Sequence, residues 1–276
     1  MSLDDLIESI RSGNEIRARC LISQEVVNAT DSDGVPLLQI AVQSNAYFVA
    51  NWLVDEGADI DAQGPSGRTV LHALIQDIAH AKKWMKFELF EMANALLEKV
   101  LEKCPDLSGK KGHWNALEEA AHEGLEDVVE RLIACGADVN DLDCQVGPLY
   151  AAVRGKHPAV VAVLLEHGAD ANRPDGVGQT PIIHATAQGE WVIVEHLLKK
   201  GSADPNVASQ DGTTALMFAA ASGSEALTNL LVENGAETSQ KDANGKTALD
   251  HAREFGSDHV IPILEESKRL KPGGQS

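Results

Sequence analysis

The chain has 276 residues, of which 43% are hydrophobic and 4% aromatic, and its formal net charge at pH 7 is −19. This hydrophobic content is too high for a disordered chain, and so acidic a protein is poorly suited to bind nucleic-acid phosphates or anionic lipid. No run of eighteen apolar residues occurs, so we also expect no membrane-spanning segment. Four cysteines without a CxxC spacing indicate reduced thiols, which predicts a cytoplasmic or nuclear location.

A unit of about 33 residues repeats along the chain. An apolar residue near the start of each predicted first helix recurs at spacings of 32, 33, 46, 32, 33, 34 and 33 residues. Glycine follows many of these residues after seven positions and again after nineteen, as expected for turns that end short helices. Each unit is therefore predicted to contain a helix, a turn, a second antiparallel helix and a finger-like turn. The eight apolar positions are Leu6, Leu38, Leu71, Leu117, Leu149, Ile182, Leu216 and Leu249.

Helices this short are marginal on their own in water, so the units must pack on one another. Small residues three positions after most of the apolar anchors, such as Ala41 and Ala185, would let neighbouring first helices lie close together. The prediction is an all-α solenoid of about eight helix pairs with short, β-hairpin-like finger loops, in a single domain over residues 1–270. The predicted units are 3–30 (N-terminal cap), 31–63, 64–109, 110–142, 143–174, 175–208, 209–241 and 242–270 (C-terminal cap), followed by a disordered tail over 271–276.

The third unit is longer than the others, with 46 residues between its anchor and the next. Its helical stretch contains no glycine, which predicts that both of its helices run about two turns longer than the rest. This insertion carries three lysines and a cluster of large apolar residues: Trp84, Met85, Phe87 and Phe90. Two interpretations are open. The apolar residues pack between their own two helices, or they form a protruding knob that docks a partner.

Three further units depart from the pattern. Lys156 stands where glycine is expected, with Gly155 one position early, and Ser202 adds one residue to a Gly-Ala-Asp turn. Pro262 falls inside the last predicted helix, which should therefore start late or kink.

The most complete copies of the unit are GQTPIIHATAQGEWVIVEHLL at Gly178–Leu198, DGTTALMFAAASG at Asp211–Gly223 and NGKTALDHAREFG at Asn244–Gly256. These stretches resemble ankyrin repeats, and the resemblance extends over nearly the whole chain. It implies a stack of helix pairs with protruding fingers that binds other proteins on its concave side. It also implies that His72, in TVLHAL, hydrogen-bonds backbone groups of adjacent fingers and has no catalytic role.

The resemblance places partner contacts on the finger tips and at the ends of the first helices. A tryptophan at a finger tip suggests a binding residue, although Trp114 could instead pack under the inserted helices. Aspartates near the fingers predict a negative field that favours a basic or extended partner segment. The candidate partner-binding residues are Arg68, Trp114, His122, Tyr150, Arg154, Gln179, Gln188 and Lys246.

No motif for catalysis or cofactor binding is complete. Gly245-Lys246-Thr247 lacks the earlier glycine of a phosphate-binding loop, and Glu119 with His122 forms one E-x-x-H pair where a carboxylate-bridged metal site needs two. We therefore expect no cofactor and no enzymatic activity, but a protein-interaction scaffold that is a monomer by itself. Three alternatives remain open: a module that reads a small ligand or an oligonucleotide, an enzyme with a site near the inserted helices, and a self-assembling structural unit.

Overall fold

A computed structural model describes residues 3–108, 114–141 and 146–270. Within these ranges the chain forms sixteen α-helices in eight consecutive pairs and contains no β-strand. The predicted all-α arrangement of helix pairs is therefore confirmed. Two fingers each contain one isolated antiparallel bridge, Thr30 with Pro36 and Ala208 with Thr214. The predicted disordered tail, 271–276, lies outside the described residues.

The chain divides into two compact units. Unit 1 consists of Met1–Glu119 and Arg131–Asp138, and unit 2 of Ala120–Glu130 and Val139–Ser276. The division passes through the fourth helix pair, α7 (Ala116–His122) and α8 (Glu126–Ala134). Unit 1 contains three complete pairs: α1 (Leu3–Arg11) with α2 (Glu15–Leu21), α3 (Leu37–Gln43) with α4 (Tyr47–Asp55), and α5 (Val70–Lys83) with α6 (Phe87–Leu101).

Unit 1 is built from two rows of helices. The first helices α1, α3 and α5 pack in succession, and so do the second helices α2, α4 and α6. The helices α5 and α6 have 14 and 15 residues, whereas the other described helices have between 7 and 10. The Tyr47 hydroxyl, on the first residue of α4, donates a hydrogen bond of 2.6 Å to Asp77 in the middle of α5. Burial raises the pKa of both groups, so the Tyr47 hydroxyl keeps its proton and the hydrogen bond links two neighbouring repeats.

Unit 2 is also built from two rows of helices. The first helices α9, α11, α13 and α15 pack in succession, as do the second helices α10, α12, α14 and α16. The last second helix begins late, because a 3-10 turn at Asp258–Val260 precedes it and Pro262 falls in its first turn. The four pairs are α9 (Pro148–Gly155) with α10 (Pro158–Glu166), α11 (Pro181–Ala187) with α12 (Trp191–Lys199), α13 (Ala215–Ser222) with α14 (Glu225–Glu233), and α15 (Ala248–Glu254) with α16 (Ile261–Leu270).

The small residues three positions after the anchors are fully buried. Each has a relative exposure of 0%. A larger side chain at these positions would push the first helices apart, since protein cores are close-packed. The fully buried residues are Ala41, Ala120, Ala152, Ala185, Ala219 and Ala252, and apart from Ala120 each lies on a first helix that packs on a neighbouring first helix, as expected.

A ladder of side-chain hydrogen bonds ties each finger base to the next. In unit 2 the Asn140 side chain accepts from the backbone N–H of Asp170 at 2.9 Å, and Asn172 accepts from Asp204 at 2.8 Å. One repeat further on, Asn206 accepts from the backbone of Glu237 at 2.7 Å. Because each bond spans one repeat, the asparagine that follows Gly-Ala-Asp holds successive units in register.

Two departures from the glycine pattern have a steric reason. Gly155 approaches the backbone carbonyl of His122 so closely that a β-carbon would lie within 3.0 Å of it, and Lys156 takes the left-handed turn instead, with φ 62°. Gly201 is also packed too tightly for a β-carbon, and Ser202 takes the left-handed conformation with φ 51°. At both sites glycine serves close packing, and its neighbour supplies the turn.

Candidate protein-binding surface

The aspartates at the finger bases are structural. One carboxylate oxygen of Asp175 accepts from the backbone N–H groups of Val177 and Gln179, at 3.0 and 2.8 Å. Asp31 and Asp242 make the same pair of backbone bonds in their own fingers. The second oxygen of each carboxylate binds a side chain: Arg11 for Asp31, Tyr150 for Asp175 and His251 for Asp242.

These hydrogen bonds set the charge of the fingers. The backbone N–H of Val35 lowers the pKa of Asp31, and the backbone N–H of Lys246 lowers that of Asp242. Burial alone would raise the pKa of Asp175, but the bonds from Tyr150 and from the finger backbone bring it below its ordinary value. The finger aspartates are therefore ionised at neutral pH while serving as turn residues.

Tyr150 lies inside a buried cluster on α9. Its side chain is 5% exposed, and its hydroxyl donates to Asp175 at 2.8 Å and lies 3.3 Å from Nδ1 of His184. Burial raises the pKa of Tyr150 and lowers that of His184, which the nearby guanidinium of Arg154 lowers further. The sequence suggested Tyr150 as a contact residue, but here it braces one finger against the first helices and presents almost no surface.

Three candidate residues surround this cluster in unit 2. Arg154 is exposed on α9, whereas Gln179 and Gln188 are half-buried on the next finger and at the end of α11. The Gln188 amide contacts Nε2 of His184, which links it to the Tyr150 cluster. His184 was not singled out from the sequence. His184 follows Tyr150 by 34 residues, which is about one repeat, and this spacing could have indicated that the two side chains meet.

The other two candidates in unit 2 are less available. Lys246 lies in the finger before α15, and its ammonium pairs with Glu254 at 2.7 Å. The pair is close enough to raise the pKa of Lys246. His122 is half-buried at the end of α7.

In unit 1, Arg68 and Trp114 are tied into the finger structure. Nε2–H of His72 donates to the Trp114 carbonyl oxygen at 2.9 Å, while Nδ1 accepts from the Thr69 backbone at 3.2 Å. The predicted backbone role of His72 is confirmed. The half-buried Trp114 side chain lines a cavity of about 50 Å³ among finger residues, and Arg68 forms an ion pair with the largely buried Glu119.

The inserted helices expose most of their apolar cluster. Trp84, Met85 and Phe87 are 61%, 77% and 76% exposed, and Phe90 is half-buried. The interpretation that these side chains pack between α5 and α6 is therefore wrong for the first three. The residues of α5 and α6 that are buried are smaller, and they include Ile78, Ala81, Ala93 and Leu97.

The described residues contain no group of three or more His, Cys, Asp or Glu side chains that could hold a metal ion. In the same ranges, no helix combines the length and the apolar character needed to cross a membrane.

A family model for ankyrin repeats in three copies matches residues 117–208 and 189–271, which together exceed half of the chain. The chain belongs to the ankyrin-repeat family. The helix pairs before residue 117 have anchors 32, 33 and 46 residues apart, so the described part of this ankyrin-repeat protein consists of helix pairs throughout, with one longer pair.

Two curated relatives are similar to part of this ankyrin-repeat protein. Neurogenic locus notch homolog protein 2 from Homo sapiens is 34% identical over 148 residues, as is the protein of the same name from Mus musculus. The aligned region is 53% of this chain but 6% of each relative, so the chain spans only a small part of their length.

Proposed function

We propose that this ankyrin-repeat protein is a non-enzymatic interaction module that binds an extended protein segment along the fingers and first-helix ends of unit 2. The binding residues in this proposal are Arg154, Gln179 and Gln188. Membership of the ankyrin-repeat family supports a role in protein interaction. The proposed surface rests on the arrangement around Arg154.

Arg154 is an exposed cation with no ion pair among the residues that the structure describes. Arg154 lies on α9 next to the buried Tyr150 cluster, whose hydrogen bonds to Asp175 and His184 hold this helix in place. A guanidinium offers five N–H donors in a fixed plane and suits carboxylate or carbonyl oxygens of a partner. Arginine on a rigid support is also typical of the residues that dominate interface energies.

The two glutamines add neutral donors and acceptors beside this cation. Each amide can donate to and accept from the backbone of a segment that lies extended across the fingers. The chain carries a formal charge of −19, so a partner segment that is basic overall would approach faster and at a higher local concentration. We therefore propose a basic, extended segment whose carbonyl groups accept from Arg154 and the glutamines.

The experiment compares proteins captured by the wild type and by two charge-reversal variants. Arg154→Glu removes the proposed anchor, whereas Lys199→Glu makes the same charge change on the exposed side of α12 and serves as the control. We expect Arg154→Glu to reduce capture of specific partners by about tenfold or more, as for interface residues worth at least 1.4 kcal/mol. Equal recovery by all three proteins would show that this surface does not bind the partner.

A further inference from the structure

Exposed apolar side chains are concentrated on one part of unit 1. Among the described residues, nine large hydrophobic side chains are exposed, and five of these belong to the first 87 residues. We name these five the apolar edge: Ile16 (82% exposed), Phe48 (66%), Trp84 (61%), Met85 (77%) and Phe87 (76%). Monomeric proteins rarely expose so many large apolar groups together unless the surface has a binding role.

The five residues share a structural position. Ile16 and Phe48 are the second residues of α2 and α4, and Phe87 is the first residue of α6. Because α2 packs on α4 and α4 on α6, the helix starts that carry these residues lie in a row of consecutive helices. Ile16 and Phe48 also line a common groove of about 360 Å³. The apolar edge thus consists of this groove and the turn between α5 and α6, on consecutive helices of unit 1.

The part around Trp84, Met85 and Phe87 projects beyond the rest of the row. When the anchors Leu38 and Leu71 are aligned, Asp77 corresponds to Ser44, the C-cap of α3, and α5 continues for six residues past Asp77. At 1.5 Å per residue the turn between α5 and α6 lies about 9 Å beyond that level. Met85, at this turn, takes a left-handed φ of 52°, as do Asn45 (58°) and Lys156 (62°) at the same turn of other units, so a large apolar side chain stands where the pattern usually has glycine.

The projecting turn is basic although the chain as a whole is acidic. Lys82, Lys83 and Lys86 are exposed, and Glu88 is the one acidic residue between 78 and 90. The Lys83 ammonium lies 6.0 Å from the centre of the Trp84 ring. Charges further away than the Debye length, about 8 Å at physiological ionic strength, are largely screened. A charged surface in contact with the turn would therefore respond to the lysines more than to the net charge of −19.

We propose that the apolar edge docks on an anionic lipid membrane surface, with the turn between α5 and α6 inserted into the headgroup region. Surface-bound elements insert about 5–10 Å, which matches the 9 Å projection of the turn. Tryptophan and lysine are enriched at membrane–water interfaces, whereas lysine is depleted from the centres of protein–protein interfaces. The composition of the turn thus favours a membrane over a protein partner.

The test is co-sedimentation of the full chain with vesicles of phosphatidylcholine containing about 30% phosphatidylserine, compared with pure phosphatidylcholine. We expect binding to the mixed vesicles and at least tenfold weaker binding to the neutral ones, because each of the three lysines near an anionic surface contributes about fivefold. Lys82→Glu with Lys83→Glu should remove this preference. The control pair, Lys199→Glu with Lys200→Glu, carries the same change of charge in unit 2.

Insertion is tested with Phe87→Ser, which should weaken vesicle binding about tenfold because an exposed phenyl group would no longer enter the bilayer. Its matched control is Phe255→Ser, which changes a phenylalanine that is 65% exposed in unit 2. Trp84→Ser provides a second variant at the turn, and unchanged thermal unfolding of each variant shows that the fold is intact.

Three results would overturn the proposal. The first is an absence of binding to the mixed vesicles, and the second is equal binding by Phe87→Ser and Phe255→Ser. The third is a dimer, detected by sedimentation without lipid, that Phe87→Ser dissociates, because the apolar edge would then be covered by a second copy of the chain.

Discussion

Replacement of Gly201 by alanine tests the close packing of the repeats. A methyl group at this position, in the turn after α12, would lie 2.7 Å from Cδ2 of Leu165, 2.9 Å from Cβ of Ala171 and 2.9 Å from the Leu197 carbonyl oxygen. Ordinary contacts begin at 3.4 Å. Atoms of α10, α12 and the finger must therefore move by roughly 0.5–0.7 Å, and overpacking of this kind costs about 1–3 kcal/mol.

Two other glycines of unit 2 separate this steric effect from the general effects of an alanine substitution. Gly176 has no atom within 4 Å of an added β-carbon and no left-handed φ, so Gly176→Ala should change the free energy of unfolding by less than about 0.5 kcal/mol. Gly189 is equally open but has a φ of +75°, so Gly189→Ala should cost about 1 kcal/mol through backbone strain.

The assay is urea unfolding followed by far-ultraviolet circular dichroism. The expected loss of stability is largest for Gly201→Ala, intermediate for Gly189→Ala and smallest for Gly176→Ala. If Gly201→Ala unfolds at the same urea concentration as Gly176→Ala, the repeats are not packed as closely as the structure shows, and the reasoning fails.

Two further predictions concern the asparagine ladder and the Tyr150 cluster. Asn172→Ala removes the acceptor of the Asp204 backbone N–H and should lower the free energy of unfolding by about 1 kcal/mol. The control, Asn244→Ala at an exposed finger tip, should have little effect. Equal losses of stability in urea unfolding would contradict the role of the asparagine ladder. Burial and Asp175 raise the folded-state pKa of Tyr150 above its ordinary value of 10.0, so the unfolded chain releases this proton first and wild-type stability should fall as the pH rises above 10. Tyr150→Phe should show a smaller fall in urea unfolding over the same alkaline range, and an unchanged slope would contradict this assignment.

The candidate surface was only partly predictable from the sequence. The period identified the finger and first-helix positions, and Arg154, Gln179 and Gln188 lie there in the structure. Tyr150 also lies on a first helix, yet it is buried: its hydroxyl donates to Asp175 and lies beside His184, and both residues belong to the next repeat. Such contacts depend on which side chain the next unit brings into reach, and no single repeat contains that information.

The sequence by itself determined the repeating unit, because anchors, alanines and turn residues recur at a fixed spacing and act within one unit or on its immediate neighbours. It also located the long third unit, since a helical stretch without glycine lacks the residue that ends the helices of the other units. Tertiary structure alone decided whether a large side chain is covered. The sequence left open whether Trp84 and Phe87 pack between their own helices or protrude. In the structure α5 and α6 extend past the helices of the preceding pair, and these side chains face solvent.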